Sequence, residues 1–393
     1  MIDKNKLLGL VHWLAVGAPP CRLCAEVVEE TGKQLVSAGL PLDQFGVYQT
    51  MIHPAQPGVF SYWTKTGGVR KSELTPEQMR SGDIWIGTPG FDCQKTGRIV
   101  VTDLGTSPKY DHRRDMKRLL ERGYRQILNL PLHTVHSIAT NSASFSTKNE
   151  DGFTEEETRA LRLIQANLSR VVEGHILHES AVQILSTYVG RGAGIRILEG
   201  NIMLGDSETI PSIVLFADLN NFTALSNAEE TKDVIETLNV FYEIAESAVS
   251  RNGGEILKFM GDGLLAIFPV QDDLSAQIAG SIGAVSAIKE TRATLIEISR
   301  TDINFSASLH LGDINYGNIG SKSRMDFTAI GPTINLAARL LSAADEYGVD
   351  TVCSKAFHQL VPETSTLLGE KSFKGFDDLQ PVFGVSLGAA SDQ

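Results

Sequence analysis

Three short stretches carry residue types that could handle phosphate and a divalent cation. The first is Ser212 to Thr223, SIVLFADLNNFT. Its apolar run Ile213-Val214-Leu215-Phe216 reads as a buried strand, and Asp218 stands where that strand stops. Asn220, Asn221 and Thr223 follow, residue types that suit a turn and a helix start. An acid at a strand end, beside free helix N–H groups such as those of Asn221, Phe222 and Thr223, can hold a cation next to a polyphosphate. Many strands also end in a solvated Asp, so this stretch alone leaves both readings open.

The second stretch is Glu255 to Phe268, EILKFMGDGLLAIF. Two apolar strands flank Gly261-Asp262-Gly263, which reads as a tight hairpin turn with glycines supplying positive φ. Antiparallel pairing puts Asp262 at the tip, within reach of Asp218 if the strands are neighbours. Two carboxylates plus substrate phosphates commonly hold Mg²⁺ in phosphoryl-transfer sites. The third stretch is Arg324 to Leu340, RMDFTAIGPTINLAARL. Asn335 and Arg339 are four apart on an expected helix and share a face. An amide and a fixed guanidinium on one face suit a developing negative charge on phosphate. An ordinary hairpin and a solvated helix face are the plain alternatives for these two stretches.

Taken together and in this order, the three stretches resemble the class III nucleotide cyclases, the adenylate and guanylate cyclase homology domain. The resemblance covers roughly Tyr188 to Leu387. It implies that Asp218 and Asp262, with Leu219, form the metal site for two Mg²⁺ or Mn²⁺ ions. It implies that Lys258 and Thr328 select the base, that Asn335 orients the ribose and that Arg339 stabilises the transition-state phosphate. Lys374, in SFKGF, is either a phosphate contact, as a lysine near this place is in relatives, or a surface lysine. Guanylate cyclases typically carry Glu and Cys where this chain has Lys258 and Thr328, so ATP is the favoured substrate. The chemistry of the bases agrees: a threonine hydroxyl can accept from the adenine 6-amine, and a lysine ammonium can donate to the neighbouring ring nitrogen. Guanine reverses that pattern and would leave groups unpaired.

The reaction implied is attack of the ribose 3′-oxygen on the α-phosphorus of ATP, with pyrophosphate leaving and no covalent enzyme intermediate. In this family the metal aspartates come from one catalytic domain and the base-selecting pair, Asn and Arg from its partner. One catalytic domain carrying all six residues therefore implies a homodimer with two equivalent sites. Guanylate cyclase activity and a non-catalytic nucleotide-binding scaffold are the competing functions.

The chain has 393 residues and a formal net charge of −12. The length suits two or three domains. The charge argues against a nucleic-acid partner. No run is apolar and long enough for a membrane span; Leu7 to Ala18 is short and contains His12. The expectation is a cytoplasmic protein. The four cysteines are Cys21, Cys24, Cys93 and Cys353. Cys21-x-x-Cys24 has redox or metal spacing, yet no second such pair exists, and buried thiols at a helix start are the plainer reading. His133 and His136, and His175 and His178, are pairs that could serve a metal or haem, or simply pack.

The elements that must position all this begin with a helix over residues 1–20, ending at Pro19-Pro20, and a second from Cys21 to Ala38. Phe45 to Ile52 alternates like a strand and can pair with Phe60 to Thr64 across a His-Pro-Ala-Gln-Pro-Gly connection. Further expected elements are a helix at Thr75 to Met79, a strand at Arg98 to Thr102, a helix at Asp115 to Arg122, and strands at Gln126 to His133 and Val135 to Phe145. This order resembles a GAF-like sensory domain over residues 21–153, best matched from Leu128 to Glu173, with a PAS domain as the nearest alternative. Such a domain would take an unknown small-molecule or protein signal, with ligands between sheet and helices, or would only dimerise.

A linker helix and hinge are expected over 154–200. Thr154 and Glu157 form a capping box, and Leu161, Ile164, Leu168 and Val171 repeat at helical spacing. That stripe either packs on the sensor or pairs with a second chain. Gly190, Gly192 and Gly194 should break the helix ahead of Ile195 to Met203. The catalytic domain, 201–393, should be an α/β sandwich with a mixed sheet. Its expected helices run from Glu230 to Arg251 and from Asp273 to Leu295. Its expected strands include Phe305 to Leu311 and Ile314 to Ile319, about a Gly312-Asp313 turn.

Overall fold

A computed structural model describes residues 1–50, 58–82, 84–135, 141–270, 273–290, 292, 296–297 and 304–387. The chain divides into two compact units, Met1–Ile184 and Leu185–Gln393. Among the described residues no helix is long and apolar enough to cross a membrane.

In the first unit the order is α1 (Lys4–Ala15), α2 (Cys24–Ser37), β1 (Gln44–Thr50), β2 (Gly58–Thr64), β3 (Gly68–Leu74), α3 (Pro76–Ser81), α4 (Pro89–Thr96), β4 (Val100–Asp103), α5 (Arg114–Glu121), β5 (Gln126–Leu132), β6 (Asn141–Thr147) and, up to Ile184, the long helix α6 (Glu155–Val189). The strands form one antiparallel sheet in the order β3-β2-β1-β6-β5-β4. Alternation assigns the faces. Phe45, Val47, Leu128, Leu130, Ala143 and Phe145 turn to one side and pack against α1, α2 and α6. The Thr154–Glu157 capping box opens α6, with hydrogen bonds of 2.8 and 3.2 Å. Leu161, Ile164, Leu168 and Val171 are all buried in this core, so that part of the stripe packs on its own unit. Each such burial contributes on the order of 1.5–3 kcal/mol before entropy is counted.

Cys24 and Cys93 are buried and Cys21 is half-buried, and none is bonded to another sulfur. Burial pushes the Cys24 thiol far up and the Cys93 thiol to about 12, so both stay protonated and unreactive. Ile52, His136 and most of the connection after β1 lie outside the described residues.

The second unit continues with α7 (Arg191–Leu198), β7 (Ser207–Leu219), α8 (Phe222–Ala228), α9 (Thr231–Arg251), β8 (Glu255–Met260), β9 (Gly263–Pro269), α10 (Leu274–Glu290), β10 (Phe305–Ser321), β11 (Arg324–Ile330), α11 (Pro332–Tyr347), β12 (Thr351–Ser354), α12 (Lys355–His358), β13 (Ser365–Lys371) and β14 (Gln380–Val385). Its mixed sheet runs β13-β14-β12-β10-β7-β9-β8, with β11 paired to β10. One face, carrying Ile213, Leu215 and Ala217, is covered by Phe241 and Ala245 of α9 and by Ala284 and Val285 of α10. The other face, carrying Val214 and Phe216, meets Ala193 of α7, Phe327 of β11 and Ala337 of α11.

Two local expectations are corrected. Residues 305–321 are one strand, with no turn at Gly312-Asp313. Leu311, Gly312, Asp313 and Ile314 stay in register with Ile213, Ser212, Pro211 and Ile210 of β7, and that pairing holds the backbone extended. Gly312 serves another purpose: a Cβ there would lie 2.7 Å from Thr333 Oγ1, where α11 crosses. Likewise only Gly190 breaks the linker helix (φ 99°). Gly192 and Gly194 lie inside α7, where the Gly192 N–H donates to Glu255 Oε1 at 2.7 Å. The helix expected from Asp273 to Leu295 is described as α10 from Leu274 to Glu290, and Leu295 lies outside the described residues.

Candidate active site

Asp218 sits one residue before the end of β7, opposite Gly263 of β9 and Ser306 of β10. The β8–β9 turn, Met260-Gly261-Asp262-Gly263, takes Gly261 through the left-handed region (φ 70°) and presents Asp262 beside it. The Leu219 N–H donates to the Asp262 carbonyl at 3.2 Å, tying strand end to hairpin tip. Asp218 Oδ1 is buried without a hydrogen-bond partner. A Cβ on residue 263 would lie 2.8 Å from that oxygen, so glycine keeps the space beside it clear. Burial first, and the neighbouring Asp262 second, push the Asp218 carboxyl up to about 6. An orphaned carboxylate oxygen, a second acid alongside and a raised pKa describe a pair short of positive charge. These residues fit a hard divalent cation with oxygen ligands.

Leu219 itself is buried in the core. Asn221 adopts a left-handed conformation (φ 62°) as the N-cap of α8, with Phe222 and Thr223 in its first turn.

Lys258 and Thr328 are far apart in sequence, yet both line a cavity of about 770 Å³. The long β10 carries β11 back over the sheet until Asp326 Oδ2 meets Lys258 Nζ at 3.0 Å. Thr328 is two residues further along β11, on the same side of the strand. From the register, Lys258 pairs with Leu265 and Leu265 with Phe216, two residues short of Asp218. That separates the backbone at Lys258 from that at Asp218 by roughly 12 Å, two strand spacings across and two residues along.

Asn335 and Arg339 lie on α11, whose Leu336, Ala337 and Leu340 face the core while these two polar residues are exposed. The helix is anchored along β10. Thr333 Oγ1 donates to the Asp313 carbonyl, Ser308 Oγ to the Ala337 carbonyl and Ser306 Oγ to Asp345 Oδ1, each at 2.7 Å. Lys374 is exposed in the β13–β14 connection. The pairing of β14 with β12 and of β12 with β10 puts that connection at the Asp313 end of the sheet, away from Asp218. One chain thus assembles the acid pair and the Lys258–Thr328 cavity. It sets Asn335 and Arg339 on an outward face, and it does not bring Lys374 to the acids.

Three supporting residues were not singled out from sequence. Asp326 pairs with Lys258; its place two before Thr328 on a strand was the available signal. Tyr242 of α9 donates to the Gly261 carbonyl and packs on Phe259, with ring centroids 4.2 Å apart. Glu255, on the strand that carries Lys258, accepts from the α7 backbone. The last two are contacts between elements that no local pattern signals.

Residues 207–375 match the family model described as the adenylate and guanylate cyclase catalytic domain. An adenylate cyclase of Dictyostelium discoideum, specific to terminal differentiation, is 32% identical over 152 residues, 37% of this chain and 7% of that protein. An adenylate cyclase of Anabaena cylindrica is 27% identical over 193 residues, 47% of this chain and 38% of that protein. The chain therefore spans well under half the length of these relatives. A crystal structure of the adenylyl cyclase CyaB from P. aeruginosa superposes on 48% of this chain and 99% of that chain, with 23% identity and a TM-score of 0.43. Residues 207–375 of the C-terminal unit form a class III nucleotide cyclase domain.

Proposed function

We propose that this protein is an adenylate cyclase, converting ATP to 3′,5′-cyclic AMP and pyrophosphate in a homodimer whose two sites are shared between protomers. The observation that carries the reading is the Asp218–Asp262 pair, orphaned oxygen included. Asp218 and Asp262 would hold two Mg²⁺ or Mn²⁺ ions. When bound, the cations supply Lewis acidity at the ribose 3′-hydroxyl and neutralise the polyphosphate.

The chain's own residues do the rest. The Lys258 ammonium, fixed by Asp326, donates to an adenine ring nitrogen, and the Thr328 hydroxyl accepts from the 6-amine. Asn335, supplied together with Lys258 and Thr328 by the protomer opposite the acid pair, orients the ribose so that its 3′-oxygen faces the α-phosphorus, which converts the attack into a positioned intramolecular step. Arg339 from the same helix meets the charge that develops on the α-phosphate oxygens. The outward placement of Asn335 and Arg339 in one chain supports the shared site. Residues 21–153 act in this reading as a GAF-like sensory domain, coupled through residues 154–200, and the six-stranded antiparallel sheet supports that role.

The test is product formation by purified full-length protein with Mg²⁺ or Mn²⁺, offered ATP and GTP in parallel at several protein concentrations. Cyclic AMP from ATP, with little cyclic GMP from GTP, is the expected result. Preferential turnover of GTP, or nucleotide binding without any cyclic product under both metals, would overturn it.

A further inference from the structure

The N-terminal sheet has a second face that its core does not use. Strand β6 reads Ser142-Ala143-Ser144-Phe145-Ser146. Ala143 and Phe145 go to the core, and the three serines line a cavity of about 370 Å³. The neighbouring strand repeats the split, with Leu128 and Leu130 in the core and Asn129 on the cavity side. Small residues on that face leave a space that the covering helices do not fill. The size lies at the lower end of small-molecule sites.

Its walls are flat and aromatic. Tyr48 and Trp85 stack with centroids 4.0 Å apart, and Phe60 and Tyr62 with centroids 5.4 Å apart. Inside, the Asn129 side chain is 3% exposed and its Nδ2 has no hydrogen-bond partner. A buried amide N–H left unpaired is costly, a cost that an acceptor on a bound molecule would recover. At the edge, Arg118 and Arg122 stand one turn apart, at the end of α5 and at its C-cap. Both are exposed, and neither makes a side-chain hydrogen bond or ion pair among the described residues. Arg113, by contrast, is fully committed to Asp115 and to the Ile84 and Ile86 carbonyls. Two free guanidiniums at one rim suit a carboxylate or phosphate.

We propose that this cavity binds a small aromatic or heteroaromatic acid. The ring lies against the aromatic walls, a ring acceptor takes the Asn129 N–H, and the acidic group meets Arg118 and Arg122. The site lies wholly within the first unit and rests on no part of the catalytic reading. Binding is read directly, so a silent enzyme does not obscure the result.

The probe is 4-hydroxyquinoline-2-carboxylate, which carries an exocyclic 4-oxygen acceptor meta to its carboxylate on the same ring, with the neutral 2-carboxamide as its control. Each is titrated into full-length protein by calorimetry, followed in parallel by tryptophan fluorescence, to which the wall residue Trp85 contributes alongside Trp13 and Trp63. The acid should bind saturably and raise the melting temperature, and the carboxamide should bind at least about tenfold more weakly. Arg118→Gln with Arg122→Gln, on an exposed helix face, should bring the acid down to the carboxamide's affinity. Asn129→Ser should weaken both ligands together. Absence of saturable binding by the acid, equal binding of acid and amide, or affinity unchanged in the arginine double variant would each overturn the proposal.

Discussion

Lys258 Nζ and Asp326 Oδ2 lie 3.0 Å apart, joining a strand that begins one residue after the α9–β8 glycines to one that begins after Lys322-Ser323. Both side chains are about half exposed, at 50% and 49%, so the pair adds only about 0–1 kcal/mol to stability. Its value is positional: it aims the ammonium along the wall that Thr328 shares. Asp326→Asn should leave the melting temperature nearly unchanged. It should raise KM for ATP by roughly two- to fivefold at constant kcat, in keeping with about 0–1 kcal/mol. Steady-state kinetics with both nucleotides checks this, and an unchanged KM would remove Asp326 from the account.

The acid pair makes stability depend on pH with a definite sign. Folded Asp218 keeps its proton up to about pH 6, against 3.8 for a free aspartate. Its contribution to stability is therefore complete below the unfolded value and is lost as pH rises through about 6. Asp218→Asn escapes that loss. With cation removed by chelation, the variant should be more stable than the wild type above pH 6. The margin should be about 1–2 kcal/mol after discounting for solvent screening of a half-buried group, and it should close below pH 4. Urea unfolding across that range measures it; a wild type that is the more stable partner at pH 8 would contradict the assignment.

Cation binding should close the same gap from the other side. Mn²⁺ that binds only the folded acid pair stabilises by mass action, about 2.7 kcal/mol at a hundredfold excess over Kd. The wild type should therefore gain melting temperature on Mn²⁺ addition, while Asp218→Asn and Asp262→Asn gain little. Equal gains in all three proteins would place the cation elsewhere.

How much of this was legible in the sequence follows from how local each feature is. Asp218 and Asp262 were readable because a strand end and a Gly-Asp-Gly turn are written within a few residues, and adjacent strands then bring them together. Gly312-Asp313 misled because a local turn signal was overridden by thirteen residue pairs between β10 and β7. The Lys258–Asp326 contact depends on how far β10 curls, which no short pattern encodes. The N-terminal cavity was hidden for a different reason. The alternating serines of β6 mark a face with little to pack, yet an empty space is defined only when the covering helices are in place.

Tyr242 supplies a test of hairpin positioning. Its hydroxyl donates to the Gly261 carbonyl, and Asp262 is the next residue. Burial first, then the charges of Asp262 and Asp218, hold the phenol above its usual range, so it remains a donor at neutral pH. Tyr242→Phe removes a bond that contributes about 1 kcal/mol. The expected outcome is a roughly fivefold rise in the Mn²⁺ concentration needed for half-maximal activity, with the maximal rate less affected. A metal dependence identical to the wild type would show that the hairpin tip holds itself.

The outward face of α11 makes the strongest demand on assembly. Within one chain Asn335 and Arg339 are exposed beside a core-facing row of Leu336, Ala337 and Leu340, while Asp218 is half-buried at the far end of β7. If each site takes its acids from one protomer and its arginine from the other, the two defects can be separated. Asp218→Ala protein and Arg339→Ala protein should each be nearly inactive. Mixed and allowed to exchange, they form heterodimers in which one site carries both lesions and the other carries neither. Equal mixing makes half of the dimers mixed, each with one intact site, so activity should recover to about a quarter of the wild-type value. Subunit exchange is verified independently with differently tagged chains. Recovery near that fraction supports the shared site; verified exchange with no recovery means that acids and arginine serve the same chain, and the homodimeric site must be abandoned.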